Sequence, residues 1–177
     1  MSKAVFIDRD GTINREVEHL SKLEDFEFLP NSLEAIKKLS QSEYKIIVVT
    51  NQSAVARGLL GEKELERIHR HMVRQASVNG GRIDAVYYCP HHPDDNCQCR
   101  KPRCQLLKKA AADLGLNLKE SYVVGDSTQD IQTGKNAGCK TILVKTGYGG
   151  KDGRFKAKPD YVAEDLLDAA KKILHAR

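Results

Sequence analysis

The sequence predicts an α/β fold: a Rossmann-like three-layer sandwich whose mostly parallel central sheet has helices on both faces. Two observations support this prediction. The chain contains short apolar runs rich in β-branched residues, which are typical of strands. Between these runs lie longer segments whose apolar residues recur at helical spacing. Such alternation is typical of βαβ units, in which crossover helices cover a parallel sheet. The chain of 177 residues is long enough to form a core, and we predict a single domain, residues 1–177.

Five strands are predicted from the short apolar runs. In chain order they are Lys3–Asp8, Lys45–Thr50, Ala85–Cys89, Tyr122–Gly125 and Thr141–Val144. The second run, KIIVVT, gives the clearest signal because β-branched side chains favour extended backbone.

Five helices are predicted between and after these strands. They are Asn31–Ser42, Glu62–Asn79, Gln105–Leu114, Gln129–Asn136 and Glu164–Leu174. Asn31 is predicted to cap the first helix, with Glu34 three residues further on as its capping-box partner. Gly80 and Gly81 stop the second helix, and Gly115 closes the third.

Composition excludes several classes of protein. Hydrophobic residues make up 40% and charged residues 30%, which is typical of a globular chain and unlike a disordered one. No run approaches the roughly 18 apolar residues of a membrane span, and the N-terminus lacks the pattern of a signal peptide. We therefore expect a cytosolic protein with no membrane partner. A monomer is expected because nothing in the sequence demands an oligomer. The net charge of +5 suits a small anionic substrate as well as nucleic acid.

Acidic residues follow two of the predicted strands. Asp8 and Asp10 lie in the motif DRDGT after the first strand, and Asp126 and Asp130 follow the fourth. The carboxyl ends of parallel strands meet at one edge of the sheet, where α/β proteins bind ligands. Carboxylates gathered there repel one another unless a cation lies between them, and Mg²⁺ prefers oxygen ligands. A solvated acidic turn and a helix cap are the alternative interpretations of the two segments.

Further polar side chains follow the second and third strands. Thr50 ends the second strand and precedes Asn51, Gln52 and Ser53, which resemble an anion cradle. Lys101 lies in the long segment after the third strand. A carboxylate, a cation site, a hydrogen-bonding cradle and a lysine are together the groups that phosphoryl transfer requires.

The segment after the third strand also carries soft metal ligands. They are Cys89, His91 or His92, Cys97 and Cys99. Three thiols and an imidazole suit a closed tetrahedral Zn²⁺ site, which predicts a loop stapled by structural zinc. The zinc would position Arg100 and Lys101, which follow the last thiol. Ordinary cytosolic thiols are the alternative interpretation.

The ordered set of motifs resembles the haloacid dehalogenase-like phosphatases. DRDGT, the strand-end Thr50, Lys101 and the Gly-Asp-x-x-x-Asp motif of residues 125–130 span most of the chain. The resemblance implies that Asp8 is a nucleophile that forms an aspartyl-phosphate and that Asp10 is the general acid and base. It also implies that Thr50 and Lys101 stabilise the transferring phosphoryl group.

The same resemblance implies a catalytic Mg²⁺ held by the Asp8 carboxylate, the Asp10 backbone oxygen and Asp126. Asp130 is then expected to orient the metal site without binding the metal. The chain is too short for a large cap domain, so an open site is expected.

The cysteine-rich segment followed by Arg100-Lys101-Pro102 resembles two branches of this superfamily, the heptose-bisphosphate phosphatases and the histidinol-phosphate phosphatases. The first implies removal of the C7 phosphate of a heptose 1,7-bisphosphate, in nucleotide-heptose and lipopolysaccharide core synthesis. The second implies histidinol phosphate as the alternative substrate. The resemblance also favours His91 over His92 as zinc ligand. It implies substrate contacts by Glu16, His19, Asn51, Gln52, Ser53 and Arg100.

Two other functions are disfavoured relative to a sugar phosphatase. A 3′-phosphatase acting on nucleic acid ends is disfavoured because aromatic residues make up only 6% of the chain and Trp is absent. A zinc-ribbon nucleic-acid-binding module explains the thiols, but Asp8, Asp10 and Asp126 would repel a phosphate backbone. No nucleic-acid partner is therefore expected.

The basic loop containing Lys145 and Arg154 is interpreted as solvated and not as a second phosphate site.

Overall fold

The computed structural model describes residues 1–176 and contains one six-stranded sheet. All neighbouring strands are parallel, in the order β3-β2-β1-β4-β5-β6, which confirms the predicted α/β class. The strands are β1 (Ala4–Ile7), β2 (Lys45–Asn51), β3 (Ala85–Cys89), β4 (Tyr122–Gly125), β5 (Lys140–Val144) and β6 (Tyr161–Ala163). That residues 1–177 form a single domain stays a prediction.

Five α-helices lie between and after the strands, close to their predicted positions. They are α1 (Ser32–Ser40), α2 (Glu62–Val78), α3 (Gln105–Leu114), α4 (Thr128–Ala137) and α5 (Leu166–His175). Three short 3₁₀ helices cover Leu23–Asp25, Pro93–Asp95 and Leu118–Glu120. None of the helices within residues 1–176 combines the length and apolar character needed to cross a membrane.

Two local predictions were wrong. The strand Tyr161–Ala163 was not predicted, because it has three residues and two of them are exposed at the sheet edge. Asn31 precedes α1 as predicted, but its side chain does not cap the helix. It adopts a left-handed backbone with φ 66° and donates from Nδ2 to Asp165 Oδ2 at 2.9 Å. The side chain thus ties the start of α1 to that of α5.

The sheet is buried on both faces, which explains why its strands are continuous apolar runs. In β1, Val5 and Ile7 pack with the buried faces of α1, α2 and α5. Ala4 and Phe6 point to the opposite face and pack against α3. This alternation follows from the two-residue period of a strand. Helices on both faces therefore hold the central strands rigidly, and the site lies on the ends of those strands.

The order of the strands reverses between β1 and β4. Chain progression runs outward from β1 through β2 to β3, and in the other direction from β4 to β6. A crevice forms at such a switch point beyond the carboxyl ends of the strands. Asp8 follows β1 and its amide donates to the Val124 carbonyl at 2.9 Å, while Asp126 follows β4. The topology therefore brings the two acidic segments together.

Candidate active site

The acidic residues predicted at the strand ends form one cluster around a buried lysine. One carboxylate oxygen each from Asp8, Asp126 and Asp130 lies within 4.8 Å of the others. The Lys101 ammonium lies 2.7 Å from Asp8 Oδ1 and 2.5 Å from Asp130 Oδ1. Its third contact is the Val49 carbonyl at 3.1 Å. One lysine faces three carboxylates, so the cluster retains excess negative charge.

Burial makes that excess charge costly. Burial and the neighbouring Asp8 and Asp130 carboxylates raise the pKa of Asp126 to about 9. Burial and the Asp130 carboxylate also raise the pKa of Asp8 to about 7, against the attraction of Lys101. Burial disfavours the charge on Lys101, but Asp130 and Asp8 outweigh it and raise the lysine's pKa. A bound divalent cation would allow these carboxylates to ionise together, so the donor set fits Mg²⁺.

Two glycines allow the loops to close on Asp126. Gly11 and Gly147 have positive φ values of 79° and 55°. A Cβ at either position would lie 2.2 and 2.1 Å, respectively, from Asp126 Oδ2. The same oxygen accepts a 2.7 Å hydrogen bond from the Tyr148 amide. Asp126 Oδ1 accepts no hydrogen bond from residues 1–176, so one oxygen is left for a ligand.

Asp130 differs from Asp126 because protein donors occupy both of its oxygens. Oδ1 accepts from Lys101, and Oδ2 accepts from the Ser127 amide at 3.2 Å and hydroxyl at 2.5 Å. Ser127 caps α4 in a capping box with Asp130. The helix-cap interpretation of this segment is therefore correct, and the cap also fixes the acid that contacts Lys101.

Asp10 is held by donors from three sides. Arg9 Nη2 lies 2.9 Å from both Asp10 oxygens, Asn14 Nδ2 donates at 2.9 Å and Gln52 Nε2 at 2.8 Å. Burial opposes ionisation of Asp10, but the Arg9 guanidinium and these hydrogen bonds hold its pKa below the usual value. Arg9 is fully buried and also contacts His69, 60 residues away in sequence. Neither residue was predicted from the sequence. The one feature that could have indicated Arg9 is its position between two acidic residues, and nothing comparable marks His69.

The predicted anion cradle lies beside Asp10. Thr50 is buried, and its hydroxyl accepts from Gln52 Nε2 at 2.8 Å. Asn51 brackets the Lys101 backbone: its Oδ1 accepts from the Lys101 amide at 3.1 Å and its Nδ2 donates to the Lys101 carbonyl at 3.4 Å. The amides of Asn51 and Gln52 are thus bonded within the protein, while Ser53 lines the open cavity.

The soft ligands also cluster as predicted. One ligand atom from each of Cys89, His91, Cys97 and Cys99 lies within 4.8 Å of the others. His91 Nδ1 is 3.1 Å from Cys99 Sγ. His92 caps the short helix Pro93–Asp95 instead, and its Nδ1 accepts from the Asp94 amide. Three sulfur atoms and one imidazole nitrogen fit the donor set of a structural Zn²⁺.

All residues predicted for catalysis, Mg²⁺ or substrate line one cavity of about 350 Å³. They are Asp8, Asp10, Glu16, His19, Thr50, Asn51, Gln52, Ser53, Arg100, Lys101 and Asp126. Burial together with Asp10 and Asp8 raises the pKa of Glu16 to about 7. The residues predicted from four separate segments of the sequence therefore line the same cavity.

Three arginines line the same cavity without a carboxylate partner. Arg57, Arg100 and Arg154 form no salt bridge within the described residues, 1–176. Burial and repulsion from Arg154 and Arg57 hold the pKa of Arg100 below its usual value. Arg154 donates to Gln129 Oε1 at 3.1 Å. The side chains of Lys145 and Arg154 are exposed, in agreement with the interpretation of this loop as solvated, although Arg154 also lines the cavity and Lys145 pairs with Glu164.

Comparisons with known proteins identify relatives of this chain. A family model for HAD-hydrolase-like proteins matches residues 98–169. D-glycero-beta-D-manno-heptose-1,7-bisphosphate 7-phosphatase of Pasteurella multocida is 37% identical, over 98% of this chain and 97% of that protein. A relative from Photorhabdus laumondii, named for the alpha anomer, is 37% identical over 82% of this chain and 84% of its own length.

A solved structure adds a close three-dimensional match. The D,D-heptose 1,7-bisphosphate phosphatase from B. bronchiseptica, complexed with magnesium and phosphate, superposes with a TM-score of 0.91 and 36% identity, covering 99% of each chain. This chain therefore belongs to the haloacid dehalogenase-like hydrolases, in the family of the D-glycero-D-manno-heptose-1,7-bisphosphate 7-phosphatases, and is a phosphoric monoester hydrolase.

Proposed function

We propose that the protein is a Mg²⁺-dependent phosphatase that removes the C7 phosphate of D-glycero-D-manno-heptose 1,7-bisphosphate. The observation that carries the proposal is that the buried side chains of Asp8, Asp126 and Lys101 lie close together at the switch point of the sheet. The names of the relatives support the substrate, and magnesium and phosphate in the B. bronchiseptica enzyme support the metal. The proposed setting is nucleotide-heptose and lipopolysaccharide core synthesis, with the enzyme acting as a cytosolic monomer.

The proposed metal ligands are the Asp8 carboxylate, the Asp10 backbone oxygen and Asp126. Asp126 is suited to this role because Oδ1 accepts no hydrogen bond from residues 1–176, whereas both Asp130 oxygens are bonded to protein donors. Bound Mg²⁺ would supply positive charge that offsets the repulsion between a carboxylate nucleophile and an anionic phosphate. Asp130 positions Lys101 in this scheme and is not a ligand.

Asp8 and Asp10 divide the chemistry between them. Asp8 attacks phosphorus in line, forming a P–O bond to its carboxylate while the bond from phosphorus to the sugar oxygen breaks. Asp10, which is ionised without substrate, is proposed to take up a proton when the anionic phosphate ester binds beside it, and then to give that proton to the departing sugar oxygen. A water molecule then attacks the aspartyl-phosphate and loses a proton to Asp10, which releases inorganic phosphate and restores both carboxyl groups. Arg9, Asn14 and Gln52 donate to both Asp10 oxygens in the absence of substrate, so one of these hydrogen bonds has to give way to the proton that Asp10 transfers.

Lys101 and Thr50 are proposed to stabilise the transferring phosphoryl group. All three donors of the Lys101 ammonium are bonded, to Asp8, Asp130 and the Val49 carbonyl. A phosphoryl oxygen that replaces Asp8 as its partner would gain a charge-assisted hydrogen bond in a buried place. The Thr50 hydroxyl accepts from Gln52, so its own hydrogen remains available to a second oxygen.

Zn²⁺ is proposed to be structural and held by the four clustered residues. Their set leaves no open coordination position for substrate or water. Arg100 and Lys101 follow Cys99 directly in the chain, so a metal that fixes the loop also fixes these two cations. Zinc would thereby contribute to catalysis only by positioning these two side chains.

The second phosphate of the substrate is proposed to meet Arg57, Arg100 and Arg154. These three lie in the wall of the cavity and have no acidic partner among the described residues. A bisphosphate carries a second anion that does not react, and unpaired guanidinium groups match its charge and shape. Glu16 and His19 line the same cavity and are proposed to contact the sugar hydroxyls.

The test compares phosphate release, with Mg²⁺ present, from both anomers of the heptose 1,7-bisphosphate and from histidinol phosphate. We expect a heptose bisphosphate to give the highest kcat/KM, with Asp8→Asn as the inactive control. The favoured anomer would decide between the two names that the relatives carry. A preference for histidinol phosphate would overturn the substrate while leaving the chemistry in place.

A second experiment tests the arginines. Arg154→Ala is expected to raise KM for the bisphosphate about tenfold while changing KM for p-nitrophenyl phosphate little, because the aryl ester lacks a second phosphate. Lys151→Ala is the matched control, since Lys151 lies in the same loop but does not line the cavity. Equal KM changes on both substrates would contradict the assignment.

A further inference from the structure

A buried chain of polar contacts connects α2 to the proposed acid and base. Arg9 is fully buried and directs Nε and Nη2 to Asp10, at 3.1 Å and 2.9 Å. Its remaining terminal nitrogen, Nη1, lies 3.2 Å from Nε2 of His69, which is 7% exposed on α2. The catalytic scheme above uses Asp10 and gives neither of the other two residues a role.

The direction of the hydrogen bond between Arg9 and His69 is fixed by chemistry. A guanidinium is donor only, so His69 Nε2 must accept and the imidazole must carry its proton on Nδ1. Burial and the Arg9 charge lower the pKa of His69 to about 3, so the ring is neutral at ordinary pH. The ring also packs against Tyr88, with centroids 5.5 Å apart. His69 is thus a fixed acceptor placed behind the guanidinium.

We propose that His69 is a positioning residue for Asp10 that acts through Arg9. The inference rests on the proposed function, in which Asp10 protonates the leaving sugar oxygen. The planar guanidinium grips both Asp10 oxygens only in one orientation, and the His69 acceptor opposes its rotation from the far side. Without that acceptor, a buried N–H would lack its partner and Arg9 would turn or shift to find another. Asp10 would then lose the orientation in which its proton reaches the leaving oxygen.

This role makes a prediction that a merely structural role does not. An alkoxide from a sugar is a poor leaving group and needs the Asp10 proton as the bond to phosphorus breaks. p-Nitrophenolate leaves readily without a proton, so its release in the first step depends little on Asp10, whereas the later hydrolysis of the aspartyl-phosphate uses Asp10 with either substrate. Loss of the His69 acceptor should therefore slow leaving-group release from the sugar ester selectively, whereas a general disturbance of the site would slow leaving-group release from both esters equally.

The experiment measures the single-turnover rate of leaving-group release by the Mg²⁺-loaded enzyme, in excess over substrate, from the heptose bisphosphate and from p-nitrophenyl phosphate. His69→Leu, which fills the space without an acceptor, is expected to lower this rate on the sugar ester about 10- to 100-fold. Its rate on the aryl ester should change less than about threefold. His69→Gln supplies an amide oxygen as acceptor and is expected to restore most of the rate on the sugar ester.

Ile68→Val is the matched control, because Ile68 is buried on the same helix and contacts the apolar core. Its effect should be small and equal on both substrates. Equal losses in the rate of leaving-group release from both esters in His69→Leu would overturn the inference, and so would equal rates on the sugar ester for His69→Leu and His69→Gln. If the leucine variant does not fold, His69→Asn, too short to reach Arg9, replaces it in the same comparison. Wild-type enzyme that hydrolyses neither ester with Mg²⁺ would refute the proposed function itself, before any variant is compared.

Discussion

The acidic cluster and the cysteine-rich cluster both gather metal-ligand types, but the fold supports them in different ways. Asp8 and Asp126 follow adjacent central strands and are positioned by the sheet. Lys101 and the Tyr148 amide bond to these carboxylates. The cysteine-rich cluster begins at the end of β3, an edge strand, and continues through a loop. Its ligand atoms contact mainly one another.

The different supports indicate which of the two sites is formed before a metal ion binds to it. The acidic site is fixed by buried strands and hydrogen bonds, so its geometry should survive without Mg²⁺. The half-exposed loop that holds His91, Cys97 and Cys99 lacks comparable support, so metal binding and loop ordering should be coupled. Removing one side chain at each place should therefore separate chemistry from folding.

Asp8→Asn has the largest expected effect, and it acts on chemistry alone. An amide cannot attack phosphorus, so phosphate release should fall by at least about 10⁴-fold. The fold should remain because the substitution is isosteric and removes one of three mutually repelling carboxylates. Phosphate release and the melting temperature are measured together, and we expect the latter to change by less than about 5 °C.

Asp94→Asn is the control for this experiment, since Asp94 is exposed outside the cavity. It should leave activity unchanged. Retained turnover in Asp8→Asn would remove Asp8 from the role of nucleophile. A large fall in melting temperature would show that the acidic site is less preorganised than the sheet suggests.

Cys97→Ser has the next largest expected effect, and it should act on structure and chemistry together. Loss of one zinc ligand should release the metal, loosen the loop and displace Arg100 and Lys101. Zinc content should fall below one per chain, the melting temperature should drop by about 10 °C and kcat by about 100-fold. Metal analysis, thermal unfolding and phosphate release give the three readings.

Cys104→Ser is the matched control, because Cys104 is a free thiol outside the cluster. It should retain zinc and activity. Full activity in a zinc-free Cys97→Ser protein would mean that the loop orders itself without metal, and the contrast between the two clusters would then disappear.

The same contrast explains what the sequence could reveal. The acidic residues were predicted because parallel strands end at one edge of the sheet, and the thiols because their spacing is short. Both signals are local. The contact between Arg9 and His69 joins residues 60 positions apart, and no pattern in either segment indicates it. The same reason hid the placement of Arg154 in the cavity wall and the pairing of Asn31 with Asp165.

Asn51→Ala tests the hydrogen bonds that connect the end of β2 to Lys101, which follows the cysteine-rich cluster. Asn51 brackets the amide and carbonyl of Lys101, so its loss should let that backbone move without releasing zinc. We expect kcat to fall about tenfold with KM and zinc content nearly unchanged. Steady-state kinetics and metal analysis measure these quantities, with Asn79→Ala, at an exposed asparagine outside the cavity, as the control. A rise in KM with unchanged kcat would instead assign Asn51 to substrate contact.

The smallest expected effect is a change of stability with pH that arises from His69, which lies between the two regions. It bonds to Arg9 beside the acidic site and packs on Tyr88, the residue before Cys89. Its buried ring has a pKa of about 3, below the ordinary value of 6.5. As pH falls below 6.5, the unfolded chain binds a proton at this position while the folded chain does not. The stability from neutral His69 is therefore fully present above pH 6.5 and is lost progressively as pH falls toward 3.

Comparison of wild type with His69→Gln isolates this contribution, since glutamine does not titrate and any loss of the proposed zinc at low pH affects both proteins alike. The free energy of unfolding of wild type relative to His69→Gln should fall by about 1–3 kcal/mol between pH 7 and pH 4. Urea unfolding at each pH measures it. His71→Gln, on the same helix, controls for exchanging a histidine for glutamine. A difference that stays constant with pH would show that the ring can be protonated in the folded protein, and His69 would then not be a fixed acceptor for Arg9.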